Sequence, residues 1–337
     1  MLEIEKLTNI NGVSGNEDRV REAILSMISD YADSITVDSM GSIIALKKGR
    51  NPNGKKLILS AHMDEVGLII SDITDDGYLK FKTVGGIDDR ILLCQRVLIG
   101  ENEVCGVTGI KAVHLQTKDE RKNVIKAKNM YIDIGASSLE EAEKLVSKGD
   151  YAAFDSLYTE LGDGRIKAKA LDDRVGCAIL CELIKEECES DIYFCFCVQE
   201  ETGLRGASVI ARRIDADAAI ILESTTSSDT AQSKEHMYST TLGMGPAISI
   251  MDRGSYSHAE LNKFIIDTAK NNNIKFQLKK SSMGGNDARA YQANSSQCMT
   301  AVISLPTRYI HSPVSCADKE DIEGMYLLSK KITKIWC

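Results

Sequence analysis

The chain has 337 residues, of which 43% are hydrophobic and 27% are charged, and its formal net charge is -8. These values are typical of a globular protein long enough for one large domain or two ordinary ones. The acidic balance argues against nucleic acid as a partner, because phosphate binding needs clustered lysine and arginine. No apolar run approaches the roughly 18 residues of a membrane span, so we expect no membrane partner and a cytoplasmic location.

The ten cysteines occur singly, mostly inside apolar runs, and the sequence has no Cys-x-x-Cys pair. This spacing argues against a structural zinc site built from cysteines. Cysteine used as a small hydrophobic residue indicates a reducing compartment, in agreement with the expected cytoplasmic location.

The first part of the chain predicts one helix and several strands, and then the pattern changes. Apolar spacing predicts a helix over 16–28, followed by a strand pair around Met40 and Gly41 and by the strand KKLILSAH. After Gly67 the sequence reads as short alternating strands with turn residues between them, and it predicts hardly any helix before SLEEAEKLVS. This pattern is typical of a small β-barrel or sandwich, so we predict a β-rich insertion over 67–162.

From Gly164 onward the chain alternates between strands and helices again. Such alternation predicts an α/β fold with a mostly parallel or mixed sheet and helices on both faces. We therefore predict that residues 1–66 and 163–337 form one domain, interrupted by the insertion. The predicted helices are 172–185, 204–213, 258–271 and one from Asp318 onward, and the predicted strands are 191–199, 218–223, about 246–251 and 298–304.

Two adjacent carboxylates, Glu200 and Glu201, end the apolar run 192–198. Unpaired carboxylates are costly at the end of a buried strand unless cations hold them, and open α/β sheets bind ligands at this edge. Seen alone, the pair fits a solvated loop equally well. Four further segments repeat the pattern of a strand or turn followed by metal-ligand residues: His62 and Asp64, Asp172 and Asp173, Glu223, and His311.

Together these residues have the composition of a two-metal hydrolytic site. Such a site needs roughly five protein ligands, with one carboxylate bridging metals about 3.5 to 4 Å apart. The chain supplies two histidines, a bridging aspartate and two terminal carboxylates, and one of the adjacent glutamates is left to act as a base. Asp64 is close enough in sequence to orient His62. With nitrogen and oxygen ligands, zinc is the expected metal, and cobalt or manganese also fit.

Several motifs resemble the M42 family of metallo-aminopeptidases, the group of glutamyl aminopeptidases and tetrahedral peptidases. They are, in order, SAHMDEVG, ALDDRVGC, VQEETGLRGA, SSMGGNDARA and ISLPTRYIHSPVSCADKED. The resemblance covers nearly the whole chain, including KAVHLQTKDERK and MYIDIGASSLEEAEKL in the insertion. It implies an α/β/α zinc-peptidase-like catalytic domain over 1–66 and 163–337, an inserted β-rich, barrel-like dimerisation domain over 67–162, and commonly a twelve-subunit tetrahedral shell.

The resemblance also implies a role for each candidate residue. In this chain, the loop that contains Gly284, Gly285 and Asp287 is similar to a family loop near the substrate pocket. By position in the motifs, His62 and His311 are similar to terminal ligands of different metals, and Asp172 is similar to the carboxylate that bridges them. Glu201 is similar to the second ligand of the metal held by His311. Glu200 is similar to the general base, and Asp64 is similar to the group that orients His62.

One position departs from the family pattern. Family members usually have aspartate as the third carboxylate, whereas this chain has Glu223, followed by Ser224 and Thr225. Glutamate reaches one methylene further and can still bind a metal, so we keep Glu223 as a predicted ligand. The longer side chain leaves the position and preference of that metal open.

The predicted function is a dinuclear-metal aminopeptidase acting on peptide substrates, in which a metal-bridging hydroxide attacks the first peptide carbonyl and Glu200 is the general base. A related metal-dependent deacylase and a non-catalytic peptide-binding assembly protein are the alternatives. A glycosidase fits less well, because adjacent glutamates do not flank a sugar bond at about 5 to 9.5 Å. The preferred N-terminal residue and the roles of His114 and Arg308 stay open.

Overall fold

The computed structural model describes residues 2–295 and 297–337, and Met1 and Ser296, which both fall in the predicted catalytic segments, lie outside the described residues. The described chain forms an eight-stranded sheet, a three-stranded sheet and a closed barrel. The strands are β1 (Ser34–Val37), β2 (Ile43–Lys47), β3 (Leu57–His62), β4 (Gly67–Ile73), β5 (Leu79–Val84), β6 (Arg96–Ile99), β7 (Val104–Gly109), β8 (Tyr131–Asp133), β9 (Tyr151–Phe154), β10 (Thr159–Leu161), β11 (Arg165–Ala168), β12 (Ile192–Cys197), β13 (Ala218–Thr226), β14 (Ala247–Ile248), β15 (Gln277–Leu278), β16 (Met299–Thr307) and β17 (Ser315–Asp318).

Each predicted helix is present, with ends that differ by a few residues, but three further helices, over 4–9, 118–122 and 288–294, were not predicted. Among the described helices, none combines the length and the apolar character needed to cross a bilayer. They are α1 (Ile4–Asn9), α2 (Asp18–Ile28), α3 (Lys118–Lys122), α4 (Leu139–Glu143), α5 (Leu171–Leu183), α6 (Arg205–Ile210), α7 (Ala259–Asn271), α8 (Ala288–Asn294) and α9 (Lys319–Ile335).

The large sheet is mixed, as predicted, in the order β1-β2-β12-β3-β13-β16-β14-β15. Its four central strands, β12, β3, β13 and β16, are parallel, so their carboxyl ends meet at one edge. The strand predicted near 246–251 is shorter than expected and covers only Ala247–Ile248. The chain turns soon afterwards, because the Asp252 carboxylate accepts hydrogen bonds from the backbone N–H groups of Gly254 and Ser255.

Alternate residues of the central strands pack on opposite faces of the sheet. Leu57 and Leu59 belong to a core that also contains residues of α2, α5, α7 and α9. Ile58 belongs to a second core, shared with residues of α6 and α8. Cys195 and Cys197 are fully buried in that second core and act there as small hydrophobic residues. Helices therefore cover both faces, as the alternation of strands and helices predicted.

The predicted β-rich insertion contains a closed barrel with the strand order β4-β5-β8-β7-β6-β9. Its strands run from Gly67 to Phe154 and enclose a separate hydrophobic core that includes Leu68, Phe81 and Val97. Closure leaves no barrel edge strand unpaired. Strand β10 pairs outside the barrel, with β11 in the three-stranded sheet. The boundaries 66/67 and 162/163 stay a prediction.

A buried ion network ties the N-terminal segment to the region after β3. Oε1 of Glu65 accepts hydrogen bonds from Nζ of Lys169 at 2.7 Å and from the backbone N–H of Gly12 at 3.0 Å. Arg174, which is fully buried, lies 3.4 Å from the same oxygen and donates to the carbonyl of Leu7 at 2.7 Å. Because α5 carries Arg174, this network also fixes the start of that helix.

Replacing Lys169 by methionine is expected to lower the free energy of unfolding by about 3 kcal/mol, because it leaves the buried Glu65 carboxylate short of a partner. Urea unfolding measures the change. Lys185→Met is the matched control, since Lys185 pairs with Glu182 on the surface and its loss is expected to cost less than about 1 kcal/mol. Equal losses in the two variants would contradict the stabilising role of the buried network.

Candidate metal centre

The predicted site residues gather at the carboxyl edge of the large sheet. His62 is the last residue of β3, Glu200 and Glu201 follow β12, and Glu223 lies in the second half of β13. His311 lies in the loop after β16 with a φ angle of 58°, which few residues other than glycine adopt. Because the central strands are parallel, residues far apart in the sequence come together at this edge.

Asp172, at the N-terminal end of α5, lies between the two histidines. Its Oδ1 atom is 3.3 Å from Nε2 of His62, and its Oδ2 atom is 3.4 Å from Nε2 of His311. Nε2 of His311 is also 3.2 Å from Oε1 of Glu201. Asp172, Glu201 and His311 each offer one atom that could bind a metal, and these three atoms lie within 4.8 Å of one another. A carboxylate with each oxygen next to a different imidazole has the arrangement expected of a ligand that bridges two cations.

Backbone carbonyls orient both imidazole rings. Nδ1 of His62 is 3.1 Å from the carbonyl oxygen of Asp64, and Nδ1 of His311 is 2.8 Å from that of Gly86. A carbonyl only accepts hydrogen bonds, so each Nδ1 carries the proton and donates it. The lone pair of each Nε2 is therefore the one available to a metal, which is the usual arrangement of a ligating histidine.

Asp64 contacts both the histidine and the glutamate pair. Its Oδ1 atom is 3.5 Å from Nδ1 of His62, whereas the backbone carbonyl oxygen of Asp64 is closer to that nitrogen, at 3.1 Å. Its two carboxylate oxygens accept hydrogen bonds from the backbone N–H groups of Glu200 and Glu201, both at 3.0 Å. Asp64 is fully buried below the site, so it positions the groups around it and does not face the cavity.

The three glutamates of the site share a buried environment. Burial raises the pKa of Glu201 to about 7 and raises the pKa of Glu200 well above its usual range. Burial also raises the pKa of Glu223, and the charge of Lys279 is the largest opposing influence. In the absence of nearby cations these side chains would be driven towards their neutral forms.

Protons or metal ions supply the positive charge that this cluster needs. Burial raises the pKa of Asp172, but hydrogen bonds with His311 and His62 outweigh it and hold the pKa below its usual range. Burial lowers the pKa of His311, but Asp172 and Glu201 raise it by more, to about 9. Metal ions compete with protons for the same Nε2 and carboxylate atoms. Imidazole nitrogens and carboxylate oxygens in this arrangement fit zinc, cobalt or manganese.

A cavity of about 780 Å³ opens onto these groups. This volume is within the usual range of about 300 to 1,000 Å³ for sites that bind small ligands. Gly284 and Gly285 line its wall, whereas Asp287 is buried beside them and is only 1% exposed. The predicted site residues that line the cavity are His62, Asp172, Glu200, Glu201, Glu223 and His311.

The structure also places residues that the sequence analysis left open or did not single out. His114 lies in an exposed turn of the insertion, and Arg308 pairs with Asp229 at 2.7 Å. The glycine pair 85–86 indicates a tight turn. The sequence could not show that this turn contacts His311, because Gly86 and His311 are 225 positions apart. Nothing in the local sequence marked the cavity-lining cations Arg253 and Lys279, whereas Arg289 lies inside the motif SSMGGNDARA but was not singled out.

The turn at Gly85 and Gly86 joins the barrel to the candidate metal centre. Gly85 has a φ angle of +81°, and a Cβ atom added to it would lie 2.8 Å from Cγ1 of Val66 and 3.3 Å from Cβ of Glu201. Gly86 supplies the carbonyl that orients His311. A side chain at position 85 would therefore displace a turn that contacts two of the predicted ligands.

Gly85→Ala is expected to weaken zinc binding at least about tenfold, because groups that orient ligands typically contribute that much to metal affinity. Isothermal titration calorimetry on metal-free protein measures the effect. Gly135→Ala is the matched control, because Gly135 has a φ angle of +79° with nothing within 4 Å of an added Cβ atom. If both variants bind zinc equally well, the turn has no role at the metal centre.

Comparison with known proteins gives the same family along almost the whole chain. The model of the M42 glutamyl aminopeptidase family matches residues 41–328. A putative aminopeptidase of Acetivibrio thermocellus is 43% identical over 323 residues, which cover 95% of this chain and 94% of the relative. The lysyl aminopeptidase of Pyrococcus furiosus is 33% identical over 337 residues, with 98% and 95% covered.

A solved structure agrees with this assignment. The TET1 peptidase of Pyrococcus horikoshii superposes with a TM-score of 0.87 at 36% sequence identity, and the match covers 98% of each chain. The matches include both the large sheet and the inserted barrel, and they confirm the resemblance found in the sequence motifs. The chain therefore belongs to the M42 glutamyl aminopeptidase family and is a metal-dependent aminopeptidase.

Proposed function

We propose that this aminopeptidase holds two divalent cations, with zinc the expected metal, and removes N-terminal residues from peptides. The position of Asp172 carries the proposal, because each of its carboxylate oxygens lies next to a different histidine. When bound, the two cations would activate a water molecule, polarise the scissile carbonyl and hold the free α-amino group. One metal site would consist of His62, Asp172 and Glu223, and the other of His311, Asp172 and Glu201.

Glu200 is the proposed general base and acid. It lines the cavity, and the Asp64 carboxylate fixes its backbone N–H at 3.0 Å. Glu200 accepts a proton from the attacking water as the new C–O bond forms at the peptide carbonyl. It then passes that proton to the nitrogen of the breaking C–N bond, which releases the first residue and a shortened peptide. Asp64 touches no reacting atom in this scheme and is a positioning residue.

Two substrates, each tested with and without metal, separate this proposal from its alternatives. Zinc-loaded protein is incubated with a short peptide and, separately, with the same peptide carrying an N-terminal acetyl group. Both incubations are repeated with protein from which a chelator has removed the metal. The proposal predicts release of the first residue from the free peptide only, and only with metal. Acetate release from the blocked peptide would indicate a deacylase. Peptide binding without hydrolysis of either substrate would indicate a non-catalytic peptide-binding protein.

Self-association is a second part of the proposal. The TET1 peptidase of Pyrococcus horikoshii assembles into a tetrahedron or a large octahedral shell. The likeness to that chain extends through the barrel, which we propose as the dimerisation domain of a larger, twelve-subunit assembly. Light scattering that gives the mass of a single chain at micromolar concentration would contradict this part.

Family membership leaves the preferred N-terminal residue open. The family is described as glutamyl aminopeptidase, whereas the Pyrococcus furiosus relative is a lysyl aminopeptidase. These two side chains carry opposite charges, so a substrate pocket suited to one repels the other.

A further inference from the structure

A buried glutamate of the N-terminal segment contacts the turn that carries Glu200. Glu17 immediately precedes α2 and is only 3% exposed. Its Oε1 atom accepts a hydrogen bond from the backbone N–H of Gln199 at 3.0 Å, across 182 positions of the sequence. Glu17 does not line the cavity. It therefore touches the site through the backbone of Gln199, the neighbour of Glu200.

Two carboxylates hold three successive N–H groups of this turn, residues 199–203, which we call the glutamate turn. Asp64 accepts the N–H groups of Glu200 and Glu201, and Glu17 accepts that of Gln199. Gln199 is half-buried, and an N–H group shielded from water destabilises a protein when it has no acceptor. Loss of Glu17 would leave the first of the three N–H groups without its partner, directly beside Glu200.

The backbone of Gln199 has a conformation that needs such support. Its φ angle is 55°, in the left-handed region that favours glycine. A residue with a side chain adopts this conformation at a cost and keeps it only where surrounding contacts fix it. Because the N–H group of Gln199 donates to Glu17, this contact helps to hold the bend between the end of β12 and Glu200.

The N-terminal segment holds Glu17 in place and contacts the glutamate turn a second time. The Oε1 atom of Glu17 also accepts a hydrogen bond from the backbone N–H of Gly15 at 2.7 Å. The backbone N–H of Ser14 donates to the carbonyl of Glu65 at 3.0 Å. Oγ of Ser14 lies 3.0 Å from Oγ1 of Thr202. The segment thus contacts the turn both before and after the two adjacent glutamates.

We propose that Glu17 is a positioning residue for peptide hydrolysis, which fixes the backbone of Gln199 and thereby the direction in which the Glu200 side chain enters the cavity. The inference rests on the proposed function of Glu200 as the general base. A base must lie within hydrogen-bond reach of the proton that it accepts, and a displacement of about 1 Å can lower a rate by about a hundredfold. Glu17 itself touches no reacting atom.

The two N–H groups donate to one oxygen of Glu17, and this determines which substitutions test the proposal. Glu17→Gln keeps an acceptor oxygen at the same distance along the side chain. Glu17→Met keeps the length of the side chain but removes the acceptor. Glu17→Asp keeps the charge but draws it back by one methylene, away from Gln199. Positioning by the oxygen predicts that the glutamine variant keeps its activity and that the other two lose it.

For zinc-loaded protein and a short peptide, we expect Glu17→Met to lower kcat by about ten- to a hundredfold. KM is expected to change by less than about threefold, because the substitution removes no contact with the substrate. Glu17→Asp is expected to lower kcat as well, and it provides the measurement if the methionine variant does not fold. Glu17→Gln is expected to stay within about threefold of the unmodified protein. Elemental analysis is expected to find two zinc ions per chain in all three variants.

Hydrogen exchange in metal-free protein gives a second readout that does not depend on turnover. The N–H group of Gln199 is hydrogen-bonded to Glu17, and its exchange rate reports how often that contact opens. We expect this N–H group to exchange at least about tenfold faster in Glu17→Met and at nearly the original rate in Glu17→Gln.

Asp321→Leu is the matched control. Asp321 is also fully buried and also accepts two backbone N–H groups, those of Gly243 at 2.7 Å and of Gly245 at 2.6 Å, but these three residues do not line the cavity. The control is expected to lose stability to urea, as Glu17→Met does, and to keep kcat within about threefold.

Four results would overturn the inference while the proposed function stands. They are an unchanged kcat in Glu17→Met or Glu17→Asp, an equal loss of kcat in Glu17→Gln, an equal loss in Asp321→Leu, and a loss of zinc from the Glu17 variants. If the unmodified zinc-loaded protein releases no N-terminal residue from the peptide, the proposed function is overturned, and the inference with it.

Discussion

Glu200→Gln is expected to lower kcat by about two to four orders of magnitude, the usual contribution of a general base. Glutamine keeps the size of the side chain and its backbone contact with Asp64, but its amide cannot take a proton from water at neutral pH. Because Glu200 is not among the predicted metal ligands, the variant is expected to bind two zinc ions per chain, as the unmodified protein does. Kinetics on an aminoacyl anilide together with elemental analysis measure both properties.

The control for this variant is Glu187→Gln. Glu187 is an exposed glutamate that pairs with Arg50 on the surface and does not line the cavity. It is expected to leave both kcat and zinc content unchanged. If Glu200→Gln turns over at a near-normal rate, the proton transfer belongs to another group. If it loses zinc, Glu200 is a ligand and not a base.

Asp172→Asn is expected to have the second large effect, the loss of both zinc binding and activity. The amide keeps one oxygen but replaces the other by an NH₂ group, which has no free lone pair to offer a metal. Since Oδ1 and Oδ2 of Asp172 face His62 and His311 separately, one site loses a ligand outright and the other loses the shared negative charge. We expect fewer than one tightly bound zinc ion per chain and no detectable turnover.

Asp267→Asn serves as the control, because Asp267 pairs with Lys263 on the exposed side of α7. Equilibrium dialysis against zinc, followed by elemental analysis, compares the two variants. Two tightly bound zinc ions in Asp172→Asn would contradict the bridging role of this carboxylate. Circular dichroism of both variants tests whether the fold is retained.

The turn that follows a barrel strand contacts the candidate metal centre. The carbonyl of Gly86, which follows β5, accepts a hydrogen bond from Nδ1 of His311 at 2.8 Å. Movement of this turn would rotate the imidazole away from Asp172 and Glu201. A displacement of this turn can therefore act on metal affinity.

Much of the fold could be predicted because it depends on local patterns. The alternation of residues around Met40 and the apolar run 192–198 each correspond to strands, and the spacing over 258–271 corresponds to α7. The short elements β11 and β17 were not predicted. Their pairing, Ile166 with Ala317 among others, joins positions about 150 residues apart, and local periodicity carries no information about such contacts.

The candidate site shows the same division between local and distant information. Histidines and carboxylates that follow apolar strands indicated a metal site, because parallel strands bring their carboxyl ends together. The sequence did not show that Asp64 accepts the backbone N–H groups of Glu200 and Glu201. It also gave no means of placing Lys279 and Glu223 in the lining of one cavity, since they come together only when β15 joins the sheet edge. The candidate ligands could be predicted from the sequence motifs, whereas the other residues that line the cavity could be identified only from the folded structure.

The most direct test of a two-metal aminopeptidase is a zinc titration of metal-free protein, with release of the N-terminal residue from a peptide as the readout. We expect no release before zinc is added and a maximum rate when two zinc ions are bound per chain. Elemental analysis is expected to find two zinc ions per chain at that point. Full activity in metal-free protein, or saturation at a single zinc ion per chain, would contradict a two-metal aminopeptidase.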